Sequence, residues 1–235
     1  MGETIFLAGA TGAIGRKLVP LLVEAGFTVY GSTRKPERGE SLKQAGATPV
    51  VVDVFDGEAL KDALIRTKPS IVIHQLTDLP FGLDPAQMEE GRARNARIRE
   101  IGTKNLVDAA VAAGAERMIS QSIAWAYQTS SGEVTEETPL QEGATAIRTL
   151  EGLTLNTGGI AGTVLRYGLL YGPDTGCDAP SGSISLHVDD AARAALMVVK
   201  TPVVGIFNIV DDGGSVSNAR AKSILGWQPT KRAGE

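Results

Sequence analysis

The sequence predicts an α/β fold, a doubly wound parallel sheet of about seven strands, on three observations. Short apolar runs of strand length alternate with longer stretches whose apolar residues recur at helical spacing. Glycines follow successive helical stretches at Ala25-Gly26, Ala45-Gly46 and Ala113-Gly114, where a left-handed residue ends a helix and returns the chain to the sheet. A turn with three glycines, Gly9, Gly12 and Gly15, joins the first strand to the first helix.

Taken in order, residues 5–8 are an uninterrupted apolar run, a buried strand, and 16–25 continue as a helix. Residues 28–32 and 49–53 are the second and third strands, with a weaker helix between them. A helix over 57–66 leads to the apolar strand 71–73, and a long helix over 93–113 leads to strand 117–120. A helix over 139–156 stops at Gly158-Gly159, and residues 163–167 and 206–210 form the sixth and seventh strands around a helix at 187–200. Strand–helix alternation of this kind implies parallel pairing through right-handed crossovers. Residues 1–160 form the main α/β domain; 161–235 add the last strands and a shortened lobe to the same unit.

The glycine turn carries chemistry. A strand that feeds a helix through such a loop presents unpaired N–H groups at the positive end of the helix dipole, which suits a pyrophosphate. Gly9 permits the tight turn, Gly12 the close approach of phosphates, and Gly15 the packing of helix on strand. With Thr11, Ala13 and Ile14 these residues are the expected dinucleotide cradle.

A net charge of −4 gives no electrostatic reason to expect nucleic acid or an anionic membrane as partner. One cysteine, Cys177, excludes an intrachain disulfide and fits a reducing compartment, so a cytoplasmic location is expected. No basic-then-apolar leader is present, and no apolar run approaches the roughly 20 residues of a membrane span. No metal set is expected. The arginines of the long helix, Arg92, Arg94, Arg97 and Arg99, read either as a solvated face or as groups turned toward a substrate or a dimer partner.

The ordered pieces Gly9-Ala-Thr-Gly-Ala-Ile-Gly15, Asp53-Val54, Gly102-Thr-Lys-Asn-Leu106, Leu165-Arg-Tyr-Gly-Leu-Leu-Tyr-Gly-Pro173, His187-Val-Asp-Asp190 and Ala221-Lys-Ser-Ile-Leu-Gly-Trp-Gln-Pro229 resemble the extended or atypical branch of the short-chain dehydrogenase/reductases. That branch includes epimerases, dehydratases and reductases on a Rossmann-type fold. The resemblance implies that Asp53 and Val54 lie at the adenine edge and that the end of strand four, His74, Gln75 and Leu76, lines the ribose, with His74 reading alternatively as a satisfied core histidine without a catalytic part. It also places Tyr167 at the cofactor, and it implies a homodimer through helices 93–113 and 139–156. An NAD-binding strand would end in a carboxylate; this one reads Tyr30-Gly-Ser-Thr-Arg-Lys35. Arg34 suits a 2′-phosphate, with Ser32, Thr33 and Lys35 beside it, so NADP(H) is expected over NAD(H).

The family's tyrosine and lysine, four residues apart, are absent: no Tyr-x-x-x-Lys occurs in the chain. Aligning the family's glutamate on Glu151 puts Gly143 at the tyrosine position and Ile147 at the lysine position. Ser122 matches the active-site serine, and Tyr127 is the phenol nearest to it in sequence, either a replacement acid or a packed loop residue. Tyr167 is a second candidate acid, and Gln121 and Trp125 are candidate pocket residues. The joints near 180 and 214 are shorter than the family's. Together these residues point to an NADP(H)-dependent oxidoreductase or epimerase/dehydratase-like enzyme acting on a small hydroxyl or carbonyl compound. A dinucleotide-binding sensor without catalysis, or a non-redox lyase or isomerase, is the alternative.

Overall fold

The computed structural model describes residues 2–128 and 132–230. Seven strands form one sheet: β1 (Thr4–Ala8), β2 (Thr28–Thr33), β3 (Thr48–Val51), β4 (Ile71–His74), β5 (Arg117–Ile123), β6 (Ala161–Tyr167) and, last in the chain, β9 (Gly205–Ile209). Their spatial order is β3-β2-β1-β4-β5-β6-β9, and every pairing is parallel. The order reverses between β1 and β4, where Ile5 stands opposite Val29 on one side and Ile71 on the other. In such sheets ligands bind beyond the carboxyl ends of the strands at this reversal.

Period-two alternation assigns the two faces. Ile5, Leu7, Ile71 and Ile73 are fully buried against α1 (Ala13–Glu24) and α7 (Val188–Lys200). Phe6, Ala8 and Val72 are buried against α3 (Gly57–Thr67) and α5 (Thr103–Ala112). A strand covered on both sides has no polar face to show, which is why β1 and β4 read as continuous apolar runs. The short helix α2 (Gly39–Gln44) covers the β2–β3 edge, and α6 (Thr145–Asn156) packs on β5 and β6.

Three expected elements differ. The helix expected over 93–113 begins earlier, as α4 (Met88–Arg97), and runs through a π-turn (Ile98–Gly102) into α5. The helix expected from residue 139 begins at Thr145. Leu140 is instead drawn into a bridge with Tyr127, and the Gln141 N–H donates to the Ala126 carbonyl at 2.8 Å, so tertiary pairing overrides local propensity there. The reduced lobe contains a pair unseen in the sequence, β7 (Leu169–Tyr171) and β8 (Ser185–His187), parallel to each other. The motif at 187–190 is a cap: His187 Nδ1 accepts from the Asp189 N–H at the start of α7.

The glycine turn is held by backbone contacts that admit no side chain at two positions. Gly9 has φ +87°, and a Cβ on Gly15 would meet the Gly9 carbonyl oxygen at 2.2 Å and Ala10 backbone at 2.7 Å. Both obstacles are backbone, so neither can rotate away. Gly15→Ala is therefore expected to destabilise the fold by about 1–3 kcal/mol, the usual range for overpacking. Chemical denaturation measures this, and an unchanged midpoint would contradict the packing described.

Candidate active site

A cleft opens beyond the carboxyl ends of β1, β2 and β4. Its floor is the glycine turn: Gly9, Thr11 and Gly12 line the adenosine half, and Ala13 lines the other half. The Gly12 N–H donates back to the Gly9 carbonyl, and the first helical bond of α1 is Arg16 N–H to the Gly12 carbonyl. The N–H groups of Ala13, Ile14 and Gly15 thus precede the first helical bond and face the cleft end of the helix. The Ile14 side chain itself is buried in the core. Arg16, which the sequence reading left out, donates to the Thr11 carbonyl and pairs with Asp174 at 3.3 Å.

At the adenosine end, Ser32, Thr33, Arg34 and Lys35 line the wall, joined by Arg38 from the turn before α2. The Thr33 hydroxyl accepts from the Lys35 N–H at 3.1 Å, so it shapes the turn that presents the two cations. Arg34 reaches across to Asp78 at 3.6 Å, and Asp78 is shared with Arg94 at 3.7 Å. Val54 and Leu76 line the adenine side with Phe55 and Val52. Asp53, expected at that edge, is exposed, and its carboxylate accepts from the Phe55 N–H at 3.0 Å. Its role is to cap a local turn, while the apolar residues on either side of it form the wall.

Toward the middle of the sheet, Gln75 Nε2 donates to the Tyr167 hydroxyl at 3.3 Å. Gln75 Oε1 is buried without a hydrogen-bond partner. A buried acceptor left unpaired is unfavourable by about 1–3 kcal/mol, and its place in the cleft wall suits a ligand hydroxyl or amide donor. Burial pushes the Tyr167 phenol well above its ordinary range, which suits a fixed hydrogen bond better than an acid. This unpaired acceptor, the open helix end and the cluster of cations fit a phosphorylated dinucleotide.

Beyond Tyr167 the cleft widens into a cavity of roughly 410 Å³ that Gln121, Ser122, Trp125, Phe81 and Arg99 help to line. A second hollow adjoins it, lined by Gly143, Ile147, Trp125, Leu83 and again Arg99. The positions that match the family's tyrosine and lysine therefore do face the site, but as a hydrogen atom and a butyl group.

Ser122 and Tyr127 belong to one buried network, and it does not bring Tyr127 to the cleft. Ser122 Oγ donates to Glu151 at 2.6 Å. Arg166 grips the same carboxylate at both oxygens, at 2.8 and 2.7 Å. Arg166 also donates to the Tyr127 hydroxyl at 2.8 Å, and Tyr127 donates to Asn208 Oδ1 at 2.5 Å. Burial alone would lower the Arg166 pKa, but hydrogen bonds and charge from Glu151, helped by Tyr127, raise it more, so the guanidinium stays charged. Tyr127 is buried in an apolar cluster with Ala124, Val210 and Val216, and burial pushes its phenol up. Its proton is committed and its face covered, so the structure places it as a packed network residue away from the cavity wall. Ser122 does reach that wall, with its one proton given to Glu151; it meets a ligand as an acceptor.

His74 is likewise a core residue. Its Nδ1 accepts from the Leu76 N–H at 3.2 Å, which leaves the other ring nitrogen to donate to Thr103 Oγ1 at 3.0 Å. Burial, with the charge of Arg99, lowers its pKa to about 4.

An open parallel sheet with a glycine-turn anion site and a cluster of cations past β2 defines a dinucleotide-binding protein of the Rossmann type. The chain belongs to the NAD(P)H-binding family, whose model matches residues 9–198. It is 36% identical to 3-diazoavenalumate denitrifying reductase of a Streptomyces species over 88% of this chain and 76% of that protein. It is 33% identical to cinnamoyl-CoA reductase 1 of Petunia hybrida over 52% of this chain and 35% of that one. In structure it matches UDP-glucose 4-epimerase of Thermotoga maritima with TM-score 0.78 at 20% identity, over 97% of this chain and 94% of the epimerase. The NAD- and UDP-bound epimerase of Bifidobacterium longum gives 0.79 at 16%, over 98% and 95%. The structural matches bear on the fold alone; the two sequence relatives named above are reductases. Among the described residues no helix is long and apolar enough to cross a membrane.

The His74 environment fixes the sign of a pH effect. The folded pKa lies below the unfolded value of 6.5, so the unfolded state binds more protons between 6.5 and about 4. This contribution to stability is intact above that window and falls as pH drops through it, by about 3 kcal/mol in all. His74→Gln is expected to flatten the slope of denaturation free energy against pH in that window. An equal slope in the variant would show that His74 does not carry the effect.

Proposed function

We propose that the protein is an NADP(H)-dependent reductase whose substrate is planar and conjugated and accepts hydride without a proton from the enzyme. The observation that carries this reading is the pairing of a complete dinucleotide cleft with a substrate cavity whose acid pair is replaced by Gly143 and Ile147. A carbonyl that gains a hydride becomes an alkoxide and needs a proton at once. NADPH held in the cleft would supply a hydride; delivered to a diazonium carbon it would form the C–H bond while the C–N electron pair leaves with dinitrogen, giving NADP⁺ and consuming no proton. The name of the Streptomyces relative, a denitrifying reductase of a diazo compound, supports this class of substrate. The chain's own task is then to hold a flat molecule and exclude water. Trp125 and Leu169 supply apolar surface, and Ser122 offers an acceptor.

Preference for NADP(H) rests on Arg34, Lys35 and Arg38 at the adenosine end and on the absence of a carboxylate within residues 30–35, where β2 ends. A homodimer through the α4–α5 and α6 face is part of the same proposal, supported by Ile101 and Val111, which are exposed on the π-turn and α5.

Two measurements test these points. Arg34→Ala is expected to lower kcat/KM for NADPH by about ten- to a hundred-fold while leaving NADH within a few-fold, since a charge-assisted bond to a phosphate is worth about 1.5–3 kcal/mol. Equal losses with both coenzymes would remove Arg34 from phosphate recognition. In turnover, an aryl diazonium acid is expected to release dinitrogen in step with NADPH oxidation, and hydroxybenzaldehydes to react poorly. Aldehyde reduction without dinitrogen release would favour the carbonyl reading, and coenzyme binding with no turnover would favour a sensor.

A further inference from the structure

Arg99 is half-buried at the cavity wall, whereas Arg92, which also lines the hollow beside Gly143, is exposed. Arg94 pairs with Asp78 and Glu90, and Arg97 stacks on the Phe55 ring at 4.1 Å. Arg99 makes no hydrogen bond or ion pair among the described residues, although burial is strong enough to lower its pKa. The nearest carboxylate to influence it, Glu151, is already held by Arg166 and Ser122. A half-buried guanidinium on the wall of a cavity, engaged by no carboxylate of the described residues, is placed to pair with an anion supplied from outside the chain.

Its position is specific. Arg99 sits on the π-turn, a distortion that inserts an extra residue into a helical turn and recurs at functional sites. It borders both the cavity beyond Tyr167 and the hollow beside Gly143 and Ile147. A cation thus stands where the family's lysine charge is missing, contributed by a different helix. The walls around it are apolar and broad: Trp125, Leu79, Leu83 and Leu169. A guanidinium binds a carboxylate through two parallel N–H bonds, a geometry that also fixes the plane of a conjugated acid.

From these observations, and resting on the reductase reading of the cleft, we infer that Arg99 anchors the carboxylate of a planar conjugated acid whose ring lies against Trp125. The chain has two tryptophans, and the other, Trp227, is fully buried against the carbonyl of Asp190 on α7, so quenching of fluorescence reports on Trp125.

The test titrates wild type, Arg99→Gln and Arg99→Lys with 4-methoxycinnamate and with its methyl ester, with and without NADP⁺, following tryptophan fluorescence. Wild type is expected to bind the acid at least about ten-fold more tightly than the ester, as one charge-assisted pair provides. Arg99→Gln should lose that preference and keep its affinity for the ester, and Arg99→Lys should retain part of it. Overturning results are a wild type that does not prefer the acid, an Arg99→Gln protein that binds the acid within two-fold of wild type, or equal losses for acid and ester. If Arg99→Gln does not fold, the acid-to-ester ratio in wild type and Arg99→Lys decides alone. NADPH binding is measured on the same proteins by the coenzyme's own fluorescence. Absence of coenzyme binding would defeat the reductase reading, while the acid-to-ester ratio would still judge Arg99.

Discussion

The buried pair of Glu151 and Arg166 is the constraint on which the second half of the molecule depends. Two opposite charges removed from water are tolerable only when each is fully bonded. Here the carboxylate receives Nε and Nη2 of the guanidinium and the Ser122 hydroxyl, and Nη1 donates to the Tyr127 hydroxyl and the Glu136 carbonyl. The contacts tie α6 to the ends of β5 and β6 and to the loop after β5. Loss of either ion would strand the other, which is unfavourable by about 3–5 kcal/mol. The same bonds decide the chemistry. They fix Ser122 as an acceptor and remove Tyr127 from service, so α6 keeps its place although the residues by which it would act on a substrate are gone.

Much of the fold was legible because it rests on local signals. The apolar runs of β1 and β4 are buried on both faces, and glycines with positive φ close α1, α2 and α5. The cofactor end was legible for the same reason: the spacing of Gly9, Gly12 and Gly15 and the basic run after β2 are contiguous in sequence. The run continues to Arg38, and following it three residues further would have added that side chain. What was not legible depends on distant partners. The late start of α6 comes from pairing between residues 126–128 and 139–141. The three-residue strands β7 and β8 have too few positions to show a period. Asp53 and Tyr127 are near the right place in sequence, but their orientation is set by a turn N–H and by Arg166. The arginine run on α4 was visible; which arginine turns inward depends on the π-turn, which shifts the helical phase without leaving a mark in composition.

The charges divide along the cleft. The chain as a whole is acidic, yet Arg34, Lys35 and Arg38 gather at one end and Arg99 stands at the other, with Arg16 beside the glycine turn. Low-dielectric walls concentrate such a field, so anionic ligands are drawn to the cleft against the sign of the net charge. Between the two cationic ends lie Gln75 and Tyr167, neutral groups with directional bonds. Orientation is thereby assigned to dipoles and retention to ions.

Asp78 gives the cationic adenosine end a rival of its own. Because this carboxylate already sits 3.6 Å from Arg34, a 2′-phosphate bound as proposed above would have to displace an internal competitor. A half-exposed bridge of this kind is worth no more than about 1 kcal/mol, so it weakens apparent affinity by at most about five-fold. A competitor of that strength would leave the proposed coenzyme the preferred occupant and would take back the guanidinium when the coenzyme departs.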